Sequence, residues 1–345
     1  MSLKFPRFAI LAAVAGIAAC SSGTQTAPTA NVPSVQISTL PSGEHVVRLG
    51  SHVIRYGGPQ RAVSTRRGWI SPDAKRRQLL YGSSYNGGFV NIYKAGGNNQ
   101  QPIGQLTTDL VSPQGMVVDR KHRLWVANTN GFTVEVFKRG ATTPFKTLSN
   151  PGYYAISVAV DSHGTVYAAN AAGGSGQKGN VTVWANGSTS PTGYLTYSNF
   201  NVCSGVGVDK NDNVYVSYVP TSGPPTVVEF PAGSQNGAPL GIGNPGLSNI
   251  TFDSSGNLVM ETLYGTLGIW APPYTGSPSR TINAFGNSPT INHKDKLVWV
   301  AYANPTSGMI EGYNYTSGSL VDTITAGFND AGYPQGVAVD PQVPQ

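Results

Sequence analysis

Two cysteines, Cys20 and Cys203, are all that the 345 residues contain. A disulfide-dense scaffold is excluded, and so is a zinc site built from four cysteines of the chain. Charge is scarce as well, with 22 Lys and Arg and 16 Asp and Glu. A coiled coil or long-helix protein would be rich in Ala, Glu, Lys and Leu, and this chain is not. No HExxH, GxSxG or P-loop pattern occurs, so no self-contained catalytic motif is present. What the chain does have is turn-formers, 43 Gly and 25 Pro. Hydrophobic residues make up 39%, with 17 Tyr, 11 Phe and 5 Trp, which is enough to fill a core and argues against disorder. Many short strands joined by Gly- and Pro-containing turns describe an all-β protein.

One motif recurs. Pro113-Gln-Gly-Met-Val-Val-Asp119 is followed after a short polar turn by Leu124-Trp-Val-Ala-Asn128. Ile156–Asp161 leads to Val166–Asn170, Gly205–Asp209 to Val214–Ser217, and Asn249–Asp253 to Leu258–Glu261. A degenerate copy, Pro289–His293, precedes Leu297–Ala301, and the last copy is Pro334–Asp340. The spacing from Asp119 through Asp161 and Asp209 to Asp253 is 42, 48 and 44 residues. A period of about 40 to 50 residues with several short strands per unit is the signature of a β-propeller blade. The Asp that ends each first strand is placed to accept hydrogen bonds from turn N–H groups, a structural role. The last copy stops after one strand, and Leu79–Ser83 and Phe89–Tyr93 lack a first strand. The expectation is a six-bladed propeller closed by the C-terminal strand. Seven blades is the alternative, with Trp69–Asp73 as an inner strand and Val46–Arg55 in the extra blade.

The N-terminus carries an address. Lys4 and Arg7 precede an uncharged run, Phe8–Ala19, too short to span a bilayer comfortably and suited to a secretory signal. Ile17-Ala18-Ala19-Cys20 resembles the lipobox of bacterial lipoproteins. That resemblance implies cleavage before Cys20, lipidation of its thiol and anchorage in a bacterial cell envelope. Ser21 resembles an outer-membrane sorting signal. Residues 1–19 are then a signal peptide, 20–43 a lipidated cysteine and flexible tether, and 44–345 one propeller domain. Cys203 is expected to be a small buried hydrophobe.

Gly-Val-Ala-Val-Asp followed by Leu-Trp-Val-Ala-Asn resembles the NHL-type repeat family and, more loosely, gluconolactonase-like propellers and lipobox-bearing propeller lipoproteins. Such folds host binding modules, lyases and lactonases alike. The turns between first and second strands define one end of the ring, the AB face. The residues that end each second strand fall at the other end, the mouth: Ser83, Asn128, Asn170, Ser217, Glu261 and Asn304. Loops entering the blades add Tyr153, Tyr154, Phe200 and Tyr333. These groups suit either a ligand site or ordinary turn and packing roles. Gluconolactonase-like propellers are similar in holding a central cation, which points to Glu261 as a candidate ligand for calcium or another divalent ion. No companion Asp stands at an equivalent position. Virginiamycin-type lyases are similar seven-bladed propellers that use a His. Here His122, His163 and His293 fall in or beside AB turns, and His45 and His52 precede the repeats.

The AB face is basic, with candidates Arg76, Arg77, Arg120, Lys121 and Arg123. Residues 21–146 carry 15 basic and 5 acidic groups, whereas residues 147–345 carry 5 and 11. Such a patch attracts anionic headgroups or an acidic partner in a salt-sensitive way. The reading is a monomeric, lipid-anchored binding or scaffold module for a protein or small molecule, with no nucleic-acid partner. A lactonase-like hydrolase or lyase at the mouth is the alternative.

Overall fold

The computed structural model describes residues 33–342 except 51, 60–66, 175, 304–307 and 329–333. The four copies that end in Asp119, Asp161, Asp209 and Asp253 fold as the same corner. Oδ1 of the terminal Asp accepts the backbone N–H groups two and four residues on. Asp119 accepts from Lys121 and Arg123, both at 2.9 Å. Asp161 accepts from His163 and Thr165 at 2.9 and 2.7 Å, and Asp209 from Asn211 and Asn213 at 2.8 and 2.9 Å. Asp253 accepts from Ser255 and Asn257 at 3.0 and 2.8 Å. In the degenerate copy Asn292 does the same work, accepting from Lys296 at 2.9 Å and Leu297 at 3.2 Å. One side chain thus satisfies two amides that a tight hairpin leaves open.

The corners join strands into seven antiparallel sheets. Six of them have an inner strand: Pro113–Val118, Tyr153–Val160, Phe200–Val208, Thr251–Phe252, Asn287–Ile291 and Pro334–Asp340. We number these sheets 1 to 6 in that order. Each inner strand lies against the next, and the sixth returns to the first. Sheet 6 is composite. Pro334–Asp340 pairs with Leu79–Ser84, in register Asp340 with Leu79 and Val337 with Gly82, and the sheet continues through Phe89–Lys94, Gly104–Leu106 and Trp69–Ile70. The chain is therefore a β-propeller, and the C-terminal strand completes a sheet begun near the N-terminus.

The expected count of six is corrected: there are seven sheets. The additional one is built from β1 (Val35–Thr39), β2 (Glu44–Leu49) and β3 (His52–Gly57). It uses Val46–Arg55, the residues of the seven-blade alternative. Trp69–Ile70 is not an inner strand, however; it is the outermost strand of sheet 6. The seventh sheet starts at residue 35, so a continuous tether to residue 43 is also corrected. No helix among the described residues is long and apolar enough to cross a membrane.

The ring closes through one position per copy, four residues before the turn Asp or Asn. Gly115, Gly205 and Gly336 occupy it in sheets 1, 3 and 6. A Cβ there would lie 2.7 Å from the Ile156 carbonyl oxygen, 2.1 Å from that of Ser248 and 2.1 Å from that of Gln114, each in the neighbouring inner strand or its approach. The other three copies place small polar side chains at the same seam. Ser157 Oγ accepts from Val206 N at 3.0 Å. Asn249 Nδ2 donates to Ser288 Oγ at 2.9 Å, and Ser288 Oγ donates to the Gln335 carbonyl at 3.0 Å. Apolar faces fill the wedges between sheets, with Trp184, Trp270 and Trp299 fully buried. Cys203 sits in one such cluster, fully buried, and burial pushes its thiol pKa up, so it is a packing residue.

Gly205→Ala is expected to destabilise the fold by about 1–3 kcal/mol through overpacking against backbone. Gly193→Ala, where an added Cβ meets nothing within 4 Å, is expected to stay within about 0.5 kcal/mol of the parent. Urea unfolding midpoints of the two variants check this; equal midpoints would remove the seam from the account.

Candidate functional site

The mouth is occupied by the chain itself. β2 and β3 lay Val47, Leu49, Ile54 and Tyr56 on Ile156 and Ala171 of sheet 2, Val202 and Val219 of sheet 3, and Leu247 and Leu263 beside sheet 4. Ala171 and Val219 lie near the C-terminal ends of the strands Val166–Gly173 and Val214–Pro220, which places this cap sheet at the mouth end. Polar contacts fix it. Gln114 Nε2 donates to the Arg55 carbonyl at 2.7 Å. Gly57 N donates to Asn130 Oδ1 at 3.1 Å, and Asn130 Nδ2 donates back to the Gly57 carbonyl at 3.2 Å. His52 Nδ1 meets the Glu261 carboxylate, with side chains only 4% and 2% exposed. His52 Nε2 and Glu261 Oε1 have no hydrogen-bond partner. The axial space under the cap is about 10 Å³, bordered by His52, Ile54, Gln114, Asn249, Asn287 and Gln335. A second cavity, about 220 Å³, lies at the cap's edge between Leu49, His52, Glu261, Leu263, Tyr264 and Phe285.

The structure disperses the mouth candidates. Asn128 is buried; its Oδ1 accepts from Val111 N at 2.5 Å, and its Nδ2 donates to the Asp109 carbonyl and Thr133 Oγ1. Asn170 is buried in a network with Asn150, Asn180 and Thr182. Ser217 is buried between Ser204 Oγ and the Ser248 carbonyl. Ser83 and Phe200 are buried too. None of these borders either cavity beside the cap; the hydrogen bonds of Asn128, Asn170 and Ser217 are taken up by their own sheets and the adjoining loops. Tyr153 packs against Tyr194, and Tyr154 packs against Tyr56 of the cap and Phe132. Asn304 and Tyr333 lie outside the described residues, as does Cys20. Glu261 alone borders a cavity, and its partner is the imidazole of His52 rather than a set of oxygen donors. That arrangement does not fit a hard cation, which takes six to eight oxygens. From sequence alone, Val46–Arg55 is expected only as strands of an alternative seventh blade, and not as a cap. Its signal is there, in two strand-like stretches rich in Val and Ile, Glu44–Leu49 and His52–Gly57, separated by Gly50-Ser51, a hairpin dipeptide.

The opposite end of the axis is open. A cavity of about 470 Å³ lies among the AB turns. Its floor is Val117, Val118, Val160 and Pro341, and its rim carries Arg120, Lys121, His122, Arg123, His163 and His293. Three of the five basic candidates therefore share one site. Arg77 lies outside it, accepting the Arg139 guanidinium on its backbone carbonyl, and the Arg76 side chain lies outside the described residues.

The rim is ordered by ion pairs. Arg123 Nε meets Asp119 Oδ2 at 2.5 Å, and its guanidinium lies 5.2 Å from the Trp125 ring centre. His122 Nδ1 meets Asp340 at 2.5 Å, and Arg139 meets the other Asp340 oxygen at 2.6 Å. Asp340 ends the last motif copy and has no second strand after it, so its buried carboxylate serves the seam instead of a turn. His163 Nδ1 meets Asp212 at 3.0 Å. Burial works to raise the Asp212 pKa, and hydrogen bonds from Ser162 together with the His163 ring outweigh it, holding the carboxyl below its ordinary value. Asp161, His163 and Asp212 bring one potential metal-ligand atom each within 4.8 Å of the others. The carboxylate oxygens of that trio already accept hydrogen bonds from Thr165, Tyr167 and Ser162.

No family model matches the chain, and no curated protein matches it. Among solved structures it is similar to a chain of the crystal structure of a nidogen/laminin complex. The identity is 14% and the TM-score 0.59, over 76% of this chain and 98% of that chain. A likeness at that identity concerns the β-propeller fold alone.

Removing one member of a buried pair leaves the other uncompensated, which costs about 3–5 kcal/mol, whereas replacing both by apolar groups is often neutral. His52→Leu is therefore expected to lower stability by that amount, and His52→Leu/Glu261→Leu to recover most of it. Urea unfolding of the two variants, with limited proteolysis at the cap, measures the difference; additive losses would mean the pair is not coupled.

Proposed function

We propose that the chain is an envelope-anchored binding propeller, of the lipobox-bearing, NHL-like kind, that engages its partner through the AB end. The observation that carries this reading is the contrast between the two ends: the mouth is filled by the cap sheet, and the AB turns surround a 470 Å³ cavity. A protein partner accords with the similar fold, which occurs in a complex of two proteins. Lipid on Cys20 would hold the protein at the membrane. The hydrolase or lyase alternative loses its support at Glu261, both of whose carboxylate oxygens are buried.

Two measurements test this reading. Cys20→Ala is expected to move the protein from the membrane pellet to the soluble envelope fraction of its host. A photo-crosslinking residue at exposed Lys121 is expected to capture a discrete partner in cells, and the same residue at Tyr264, 54% exposed on the capped side, is expected to capture none. Adducts from position 264 alone would assign the partner to the mouth.

A further inference from the structure

We infer that the AB cavity is a binding site for a small phosphate monoester with an apolar body. This rests on the AB end being the working face, and it adds the chemistry of the ligand.

The size fits a molecule rather than an ion. At about 470 Å³ the cavity falls within the range of small-ligand pockets. It is not an assembled metal centre. Among the described residues, the group whose ligand atoms converge within 4.8 Å includes only one of the three rim histidines. The floor is apolar, formed by Val117, Val118, Val160 and Pro341 from inner strands and the C-terminal segment, and it gains by covering hydrocarbon.

The rim selects an anion. Arg120 and Lys121 are exposed at its edge. Its two carboxylates, Asp119 and Asp161, are turned into their own corners by the backbone N–H groups they accept. His122 and His163 each hold a carboxylate at Nδ1, Asp340 and Asp212 respectively. A carboxylate at one ring nitrogen orients the ring and leaves Nε2 facing the ligand, where it accepts the remaining P–O–H of a monoester monoanion and donates only when the ring is an imidazolium. His293, from sheet 5, adds a third imidazole from across the cavity. The permanent donors thus come from the Arg120–Lys121 turn, and imidazoles from a second turn and from the far side complete the rim. A tetrahedral phosphate presents three oxygens in different directions and uses such a spread, whereas a planar carboxylate matches a single guanidinium fork. Free organic phosphates and phospholipid headgroups share this chemistry.

The test uses phenyl phosphate with the full mature domain, followed by calorimetry. Saturable binding is expected, with inorganic phosphate at least tenfold weaker because it leaves the valine floor uncovered, and benzylamine not binding. Arg120→Ser/Lys121→Ser is expected to weaken phenyl phosphate at least tenfold, and His163→Gln several-fold, with unfolding midpoints near the parent because these side chains are exposed. Vesicles of phosphatidylglycerol in phosphatidylcholine distinguish the two sources. Vesicle binding displaced by phenyl phosphate assigns the lipid headgroup, and phenyl phosphate binding without vesicle binding assigns a free ligand. Equal affinity for phenyl and inorganic phosphate, or variants that bind like the parent, would overturn the proposal. Partner adducts at position 121 with no phenyl phosphate binding would remove the ligand and keep the working face. Phenyl phosphate binding without adducts would keep the ligand and remove the protein partner.

Discussion

Everything in this molecule depends on how closely six inner strands approach one another around the axis. At the seam position of each motif copy, backbone meets backbone or a side chain with one short polar arm. Gly115, Gly205 and Gly336 admit the neighbouring carbonyls, and Ser157, Asn249 and Ser288 replace contact with hydrogen bonds. Wedge packing farther out, including the buried Trp184, Trp270 and Trp299, is set by this inner radius. Interiors are close-packed, so a methyl group added at the axis has nowhere to go.

The two ends of that axis are finished by different means. At the mouth, a hairpin-based sheet supplies apolar side chains that no blade provides, together with one buried imidazole–carboxylate contact, His52 with Glu261. At the AB end, the turn carboxylates lock the corners, and the last one, Asp340, binds Arg139 and His122 instead. The same residue type thus closes four corners in sheets 1 to 4 and then ties the seam between sheets 6 and 1. Rigid turns around a recess with an apolar floor hold their side chains at low entropic cost to a ligand.

The sequence made the fold legible where chemistry repeats. A blade cannot bury its faces alone, so its pattern must recur, and the turn Asp recurs with it because every hairpin has the same two amides to satisfy. The C-terminal closure was legible for the same reason, since Pro334–Asp340 is a first strand without a second. The seam was half visible: Gly115, Gly205 and Gly336 stand out, but Ser157, Asn249 and Ser288 conceal the pattern because a short donor does the same job. The cap's strands were legible, around Gly50-Ser51, but its place was not, since the hairpin belongs to no repeat and its docking depends on the assembled ring. Asn128 ends its strand, but the strands that hold Asn170 and Ser217 run on to Gly173 and Pro220, and all three side chains spend their hydrogen bonds on neighbouring strands and loops. His122, His163 and His293 were assigned to the right face, but their meeting at one cavity follows from ring closure, which no local spacing reveals.

Sheet 6 also sets a schedule. It joins residues 69–106 to the strand 334–340, so the first and last parts of the domain must meet before the ring exists. Pairings this distant in sequence form slowly, because a long loop must close before any contact rewards it. The cap sheet leaves the ribosome before every blade, and its docking surface is divided among sheets 2, 3 and 4. Its apolar face stays uncovered until those sheets have assembled. A newly made chain therefore carries exposed hydrophobic strands through its whole length of synthesis, and the interval before the last strand arrives is when a chaperone has the most surface to hold.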